Sequence, residues 1–494
     1  MISYMTKSVR ITPEAMPLSE AKRKLLEQYL SQSRTKALDE GTVIPPRPSG
    51  EPVPLSLSQE QLWLRERTTP GIPALYNECI TVRMPGSLEI PALERSVTEI
   101  IRRHEIWRTT YDTRNGQPVQ IIHPAPDRIR LPLLDLRSLP SDRREAEAQR
   151  VISEIVRQPF DLKQGPLLRF RLIRMGDFEF RLSLCAHLSI VDGVSAYQVF
   201  PSELAILYKA FSSGQASILP HLAVQFGDYA YWQRQWLQGE EQAKQLAYWK
   251  QQLGGKLPVL NWPASIPLHW ASKFRGAIRR FALPKSVSEK LKELSQRDGT
   301  TLFTTLAAGL ATLLHRYTQQ EDIIIGTPSP AGRKRFEVEK LLGYFLNPVA
   351  LRFDLSGDPS FRGLLRHTQE LTLEALSNDD IPLEWLARQM QPNVDPVRHP
   401  FFTVAMSLQP PMPSLDLGWS VTSMDADSGG APWELYIAFI SQPAGIAVRV
   451  QYNPDLFDTE TITRMLNDYQ RVLEFMCAHP FKRLSQVVLP SSRT

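Results

Sequence analysis

Cys185-Ala186-His187-Leu188-Ser189-Ile190-Val191-Asp192-Gly193-Val194-Ser195 joins two patterned segments. An alternating apolar run, Phe178 to Cys185, leads into it, and an amphipathic segment, Tyr197 to Phe211, leads out. The pattern predicts a buried strand, a loop and a helix, with a His and an Asp-Gly on the loop. Connections held between rigid elements are where reactive groups are commonly mounted. His187 at a strand end can serve as a general base, with Asp192 orienting it and Gly193 beside it. The bland alternative is a satisfied, partly buried histidine above a turn made by Asp192-Gly193. Spacing alone leaves both open.

Outward from this stretch, strands and helices alternate on both sides. Before it come a helix from Ser56, a strand Asn77 to Met84, a helix Ile90 to His104, a strand Pro118 to His123 and a helix Ala146 to Arg157. Pro166 to Arg174 and Phe178 to Cys185 read as a hairpin turning at Met175-Gly176-Asp177. After it, Gln225 to Leu253 reads as one long helical stretch, followed by a Gly/Pro-dotted linker. The pattern then restarts, with strands Ala277 to Leu283, Asp322 to Gly326, one ending at Phe353, Phe402 to Leu408, Ala438 to Ile440 and Ala447 to Tyr452. Helices Val287 to Gln296, Leu302 to Tyr317 and Thr459 to Cys477 accompany them. Two halves of this kind predict two mixed α/β (α+β) lobes with a cleft between them. The expected boundaries are residues 1–50 for a short capped helix and Pro-rich linker, 51–225 for the first lobe and 226–494 for the second.

Composition narrows the function classes. The 494 residues are 42% hydrophobic and 22% charged, with a net charge of +5, an ordinary globular balance. No Lys/Arg run interleaves with aromatics, so a nucleic-acid partner is not expected. An acidic protein partner suits the charge better. Three widely spaced cysteines, Cys79, Cys185 and Cys477, form neither a disulfide scaffold nor a zinc site, and fit a reducing cytoplasm. No 18-residue apolar stretch is present, so no membrane span is expected.

Other candidates carry competing readings. Arg103-His104-Glu105 with Arg108 reads as an anion site or as a helix-end ion-pair cluster. Gly326-Thr327-Pro328-Ser329-Pro330-Ala331-Gly332-Arg333 lacks Gly-Lys-Ser/Thr, so it suits a rigid cavity-lining loop better than a phosphate cradle. Asp379, Asp380 and Glu384 read as helix-capping acids rather than a metal site. Phe226, Tyr229, Tyr231, Trp232 and Trp236 read as packing. Trp433 faces a cavity or packs.

Taken in order, these pieces resemble the condensation domain of non-ribosomal peptide synthetases from about residue 54 onward. The family's Ser-x-Ala-Gln-x-Arg-Leu-Trp is similar to Ser56–Trp63, with Ser58 for Ala and Gln61 for Arg. Its Arg-His-Glu-x-Leu-Arg-Thr-x-Phe resembles Arg103–Tyr111, and its His-His-x-x-x-Asp-Gly resembles His187–Gly193 with one mismatch. Further resemblances fall on Phe226–Trp232, Ile325–Arg333 with Gly343–Asn347, Asn378–Glu384 and Arg398–Val404. Val194-Ser195 and Trp232–Trp236 resemble members from hybrid polyketide/peptide lines.

The resemblance implies two chloramphenicol-acetyltransferase-like lobes in a V-shaped pseudo-dimer with a tunnel between them. Donor and acceptor carrier proteins of adjacent synthetase modules would deliver phosphopantetheine-linked substrates from opposite ends. The domain itself would bind no cofactor and no metal. The acceptor amine would attack the donor thioester to give an amide. Asp192 would pair with Arg108, and Ser195, Asn347 and Trp433 would lie at the tunnel. The family's second His falls on Leu188, which can neither move a proton nor donate a hydrogen bond. Three readings follow: amide formation without that base, a catalytically silent scaffold that binds carriers or recruits a partner, and altered chemistry such as cyclodehydration. The last is weakened because His187, not Asp, begins the corresponding spacing to Asp192 and Ser195.

Overall fold

The computed structural model describes residues 43–68, 74–262, 274–390, 401–409, 412–423 and 426–490. The helix expected near residues 19–30, and Arg398-His399-Pro400, lie outside them.

The first lobe is built on a five-stranded sheet. β1 is Val53–Pro54, β2 Asn77–Pro85, β3 Thr109–Arg114, β4 Gln117–Ile122, β5 Leu133–Asp135, β6 Leu168–Gly176 and β7 Glu179–His187. The second half contributes β8 Ala277–Leu283, β9 Asp322–Ser329, β10 Asn347–Asp354, β11 Val404–Gln409, β12 Ser420–Ser423, β13 Leu435–Gln442 and β14 Gly445–Tyr452. The larger sheet runs β10-β9-β11-β13-β14-β8, the first-lobe sheet runs β12-β2-β7-β6-β5, and β1-β4-β3 form a small third sheet. The expected hairpin is present: β6 and β7 pair antiparallel from Leu168↔Ala186 to Gly176↔Glu179.

Each lobe encloses its own core. In the second, the helix Leu302–Thr318 is buried along most of its length and packs on the helix Thr459–Ala478. A helix buried on several sides in this way has an apolar sequence over most of its length. Gly309 lies against Leu473, where an added Cβ would come within 2.6 Å. Strand parity sorts the first lobe. Ile80, Val82, Leu182 and Leu184 enter the apolar core, while Thr81 and Ser183 on the other face share a 3.0 Å hydroxyl contact.

The chain does not divide cleanly at residue 225. Phe226, Tyr229, Ala230 and Trp232, then Val338, Leu341, Leu342 and Phe345, and finally Trp419 and Val421 all pack in the first lobe's core. β12 leaves the second half and pairs antiparallel with β2, Val421 opposite Val82. The expected boundary is corrected accordingly: the second half lends the first lobe an edge strand and part of its core. The helical stretch expected over 225–253 is two helices, Phe226–Trp236 and Gly239–Gln252, broken where Gly239 takes φ +66°. The described end of the Pro-rich linker is docked. Ile44 is buried, and Arg47 pairs with Asp228 at 2.9 Å and Glu105 at 2.8 Å.

Gly326 on β9 illustrates how closely the second core is packed. A Cβ there would lie 2.0 Å from the Phe402 ring. Gly326→Ala is expected to destabilise by about 1–3 kcal/mol through overpacking. Gly363→Ala, whose Cβ meets nothing closer than 3.4 Å in the first turn of the helix Phe361–Ser377, is the tolerated control. Denaturant midpoints of the two variants measure the contrast.

Candidate active site

β7 ends at His187, and its parity decides which way that ring points. His187 lies on the same face as Cys185, whose thiol approaches the Ile155 carbonyl of the helix Ser141–Arg157. Its ring packs edge-on against Tyr76 and Phe160 and is buried. The Ser189 N–H donates to Nδ1 at 3.2 Å, and the Ser189 hydroxyl lies 2.8 Å from the same nitrogen. Nδ1 therefore accepts, and Nε2–H donates to the Glu66 carboxylate at 2.9 Å. Neither nitrogen has a lone pair left for a substrate. The expectation of His187 as a base is corrected to that of a hydrogen-bonded structural histidine.

Asp192 is a buried anchor. Arg333 donates to it through Nε at 2.9 Å and Nη2 at 2.8 Å, and the N–H groups of Ser195 and Phe345 donate at 2.7 and 3.2 Å. The expected partner Arg108 is not there. It lies 3.9 Å from Glu105 and donates to the His123 carbonyl. The reason is topological: the Gly/Pro-rich loop after β9 carries Arg333 under the Asp192 loop, over the Phe345 ring at 4.4 Å. The Arg333–Asp192 pair thus ties the two halves of the chain together.

Ser195, expected at the tunnel, belongs to the same lock. It is fully buried, its Oγ donates to the Gly343 carbonyl at 3.0 Å, and it accepts from Arg333 at 2.7 Å. Asn347 is also buried away from the cleft; its Nδ2 donates to the Asp379 and Ile381 carbonyls at 2.6 and 2.7 Å. Gly193 is not demanded by space, since a Cβ would meet only ordinary contacts at 3.5 Å or more. His104 reads as an ion-pair cluster. Its Nδ1 accepts from the Leu342 N–H, so Nε2 donates to Glu203 at 3.0 Å, while Arg103 reaches Glu203 at 3.2 Å. Asp379, expected as a helix-capping acid, is instead buried, pairs with Lys334 and accepts from the Ser329 hydroxyl.

A cavity of about 140 Å³ opens between the lobes at the Leu188 side chain. Gln61 and Glu78 line it from the first lobe, and Trp433, Tyr436 and Arg449 from the second. Leu188 also packs on an apolar cluster of Leu62, Leu75, Tyr76 and Tyr344, sealing one wall. Of the residues expected at a tunnel, Trp433 and Leu188 reach it. Glu78, Tyr436 and Arg449 were not anticipated. The signal for the first was an acid inside an apolar strand, and for the last an Arg between Val448 and Val450, which turn into the core. Burial raises the Glu78 pKa above the ordinary carboxylate value, with the Arg449 charge opposing the shift. Tyr436 is pushed up to about 12, mainly by burial, and its hydroxyl lies 2.7 Å from that of Ser407.

Comparison with known proteins places this geometry in a family. A model of the condensation domain matches residues 50–494. The chain belongs to the condensation-domain family. It is 39% identical to one of the linear gramicidin synthase proteins of Brevibacillus parabrevis over 454 residues, 91% of this chain and 6% of that protein. Chondramide synthase cmdD of Chondromyces crocatus is 37% identical over 456 residues, 91% of this chain and 12% of that protein. The chain therefore spans a small fraction of the length of these relatives. The X-domain from teicoplanin biosynthesis superposes with a TM-score of 0.79 at 26% identity, over 90% of this chain and 100% of the X-domain. The first condensation domain of the calcium-dependent antibiotic synthetase, with substrate analogue 2a, shares the fold at TM-score 0.77 and 21% identity, over 89% of this chain and 100% of its own. No helix of the described residues is long and apolar enough to cross a membrane.

The expected partner of Asp192, Arg108, and the observed one, Arg333, have separable consequences in this condensation domain. Arg333→Ala leaves a buried carboxylate alone and is expected to cost about 3–5 kcal/mol. Arg108→Ala, which removes a half-buried 3.9 Å contact with Glu105 and the hydrogen bond to the His123 carbonyl, is expected to cost less, about 0.5–2 kcal/mol. Chemical denaturation of both variants gives the comparison, and equal losses would count against the Arg333 lock.

Proposed function

We propose that this domain joins a carrier-bound acyl or peptidyl thioester to a carrier-bound amino acceptor, forming an amide. The observation that carries this reading is the cavity at Leu188, walled by both lobes where the His187–Gly193 loop meets the second lobe. Donor and acceptor carrier proteins of neighbouring modules, bearing phosphopantetheine, are the partners the reading requires. The family membership and the synthetase relatives support it.

The chemistry tolerates an apolar residue at position 188. A thioester is already activated, and a neutral amine attacks it without prior deprotonation. Holding two tethered reactants in register is worth up to about 7–11 kcal/mol of barrier. General acid–base help adds roughly 10²–10⁴-fold. Positioning is the larger effect, so losing an imidazole slows such a domain before it silences it. A hydroxyl acceptor, which must lose its proton to attack, would suffer more.

A second reading has its own support. Leu188 stands where the resemblance expects a base, and the teicoplanin X-domain, similar to this chain at TM-score 0.77 and 26% identity over 91% of it, was solved in complex with OxyB. A silent domain that recruits a partner protein would keep the fold and the interlobe lock while abandoning the base.

Single-turnover assays with loaded donor and acceptor carriers separate the two. The natural chain is expected to form amide product, more slowly for a hydroxy acceptor than for an amino acceptor. Product from Leu188→His with none from the natural chain would overturn amide formation and favour the recruitment reading.

A further inference from the structure

The acid on β2 stands next to the position that lacks an imidazole. Antiparallel pairing sets Glu78 opposite Ala186 and Asn77 opposite His187. The Leu188 N–H then donates to the Tyr76 carbonyl at 2.7 Å, continuing that register past the end of β7. Glu78 is therefore the diagonal cross-strand neighbour of position 188. Such neighbours are separated by roughly 7–8 Å, within reach of a long side chain. Directly opposite Glu78 stands Ala186, whose side chain is a single methyl group. Both Glu78 and Leu188 line the interlobe cavity, whereas His187 points to the opposite face of the sheet.

The carboxylate is also free to act. Among the described residues no hydrogen bond or ion pair within 4 Å engages Glu78, and its main electrostatic partner is the more distant Arg449. The Arg449 Nε itself lacks a hydrogen-bond partner among these residues. An acid in a partly apolar cavity without a close partner is costly to keep for structure alone, and such groups mark functional sites.

We infer that Glu78 is a catalytic residue of this domain, binding the acceptor amine and taking its proton in place of an imidazole at position 188. This rests on the amide-forming reading above and names the acceptor as a primary amine. The nitrogen bonds to the thioester carbon, the C–S bond breaks, and the pantetheine sulfur leaves as thiolate. The proton shed by nitrogen passes to the Glu78 carboxylate and then to that thiolate, returning Glu78 to its starting form. The base is competent when ionised, so the rate rises with pH through its pKa, which burial places above the ordinary carboxylate range. Arg65, Tyr76, Cys79 and Tyr344 line the cavity with it, together with Tyr436 and Arg449 from the second lobe, while Tyr197 and, from the opposite face of the sheet, Cys185 interact with it electrostatically. Burial pushes the Cys185 thiol and the Tyr436 phenol up to about 12 and the Tyr197 phenol well above its ordinary value. None of these three titrates with Glu78.

Glu78→Gln, a substitution of equal shape, tests this in the full chain. The expected result is a fall of about 10²–10⁴-fold in single-turnover amide formation, with thermal midpoint and carrier binding unchanged. The rising limb of the pH profile assigned to Glu78 should vanish, and Leu188→His should restore rate in the Glu78→Gln background. A Glu78→Gln rate within twofold of the natural chain, with the same pH profile, would sink the inference while leaving amide formation intact. A readout independent of turnover compares binding of a glycyl N-acetylcysteamine thioester with that of its acetyl counterpart, which lacks the amine. The natural chain should prefer the glycyl compound, and Glu78→Gln should lose the preference. If no variant makes product, the amide-forming reading fails, and this binding comparison judges Glu78 by itself: equal affinities in the natural chain overturn the amine site.

Discussion

A buried ion pair between Arg333 and Asp192 joins segments 141 residues apart, and the shape of the site depends on it. Both side chains are almost wholly removed from water. Such a pair is held at a desolvation cost that Coulomb attraction alone does not always offset. Here the remaining valences are filled. Asp192 accepts from two backbone N–H groups, and Arg333 donates to Ser195 and to the carbonyls of Val338 and Glu339. The geometry leaves little tolerance for sliding one lobe against the other. The pair thereby fixes the register between the lobes, and with it the cavity that both line.

The loop above that lock is governed by strand parity. A β-strand alternates its side chains between two faces, so adjacent histidine and leucine could not share a role. His187 is the last strand residue and faces the helix side, where Glu66 and Ser189 saturate its ring. Leu188 is the first residue past the strand and faces the cleft. The same parity brings Glu78 to the cavity and sends Asn77 the other way, where its side-chain amide holds the Val156 and Gln158 carbonyls. A one-residue slip of β2 against β7 would exchange these assignments entirely.

Much of the fold was legible because its elements are strongly periodic. β8 spans the residues expected for it, Ala277 to Leu283, and the hairpin of β6 and β7 turns where Gly176-Asp177 stand. β12 was not legible. Four residues without marked alternation carry no local sign that they will cross to the other lobe and pair with β2. The Asp192 partner was misassigned for a related reason. Sequence displays charges but not which of two arginines a long connection will deliver, and the loop holding Arg333 reads only as Gly/Pro-rich. Ser195 and Asn347 fell short of the cleft because polar residues beside a site as often brace it as line it. Asn347 donates to backbone carbonyls of a neighbouring loop, and Ser195 bridges the Gly343 carbonyl and the Arg333 guanidinium.

An apolar side chain in place of an imidazole changes the balance of effects in the cavity rather than removing its purpose. Leu188 completes a hydrophobic seam with Leu62, Leu75, Tyr76 and Tyr344, drawn from both lobes. Such a seam lowers the local polarity, and in a less polar medium an unpaired carboxylate binds its proton more tightly. Burial therefore acts on Glu78 in the direction that makes a carboxylate a stronger base, while Arg449 across the cleft restrains the shift. A base poised by desolvation needs an apolar wall near it. The leucine that removes one proton acceptor supplies part of the environment that tunes another.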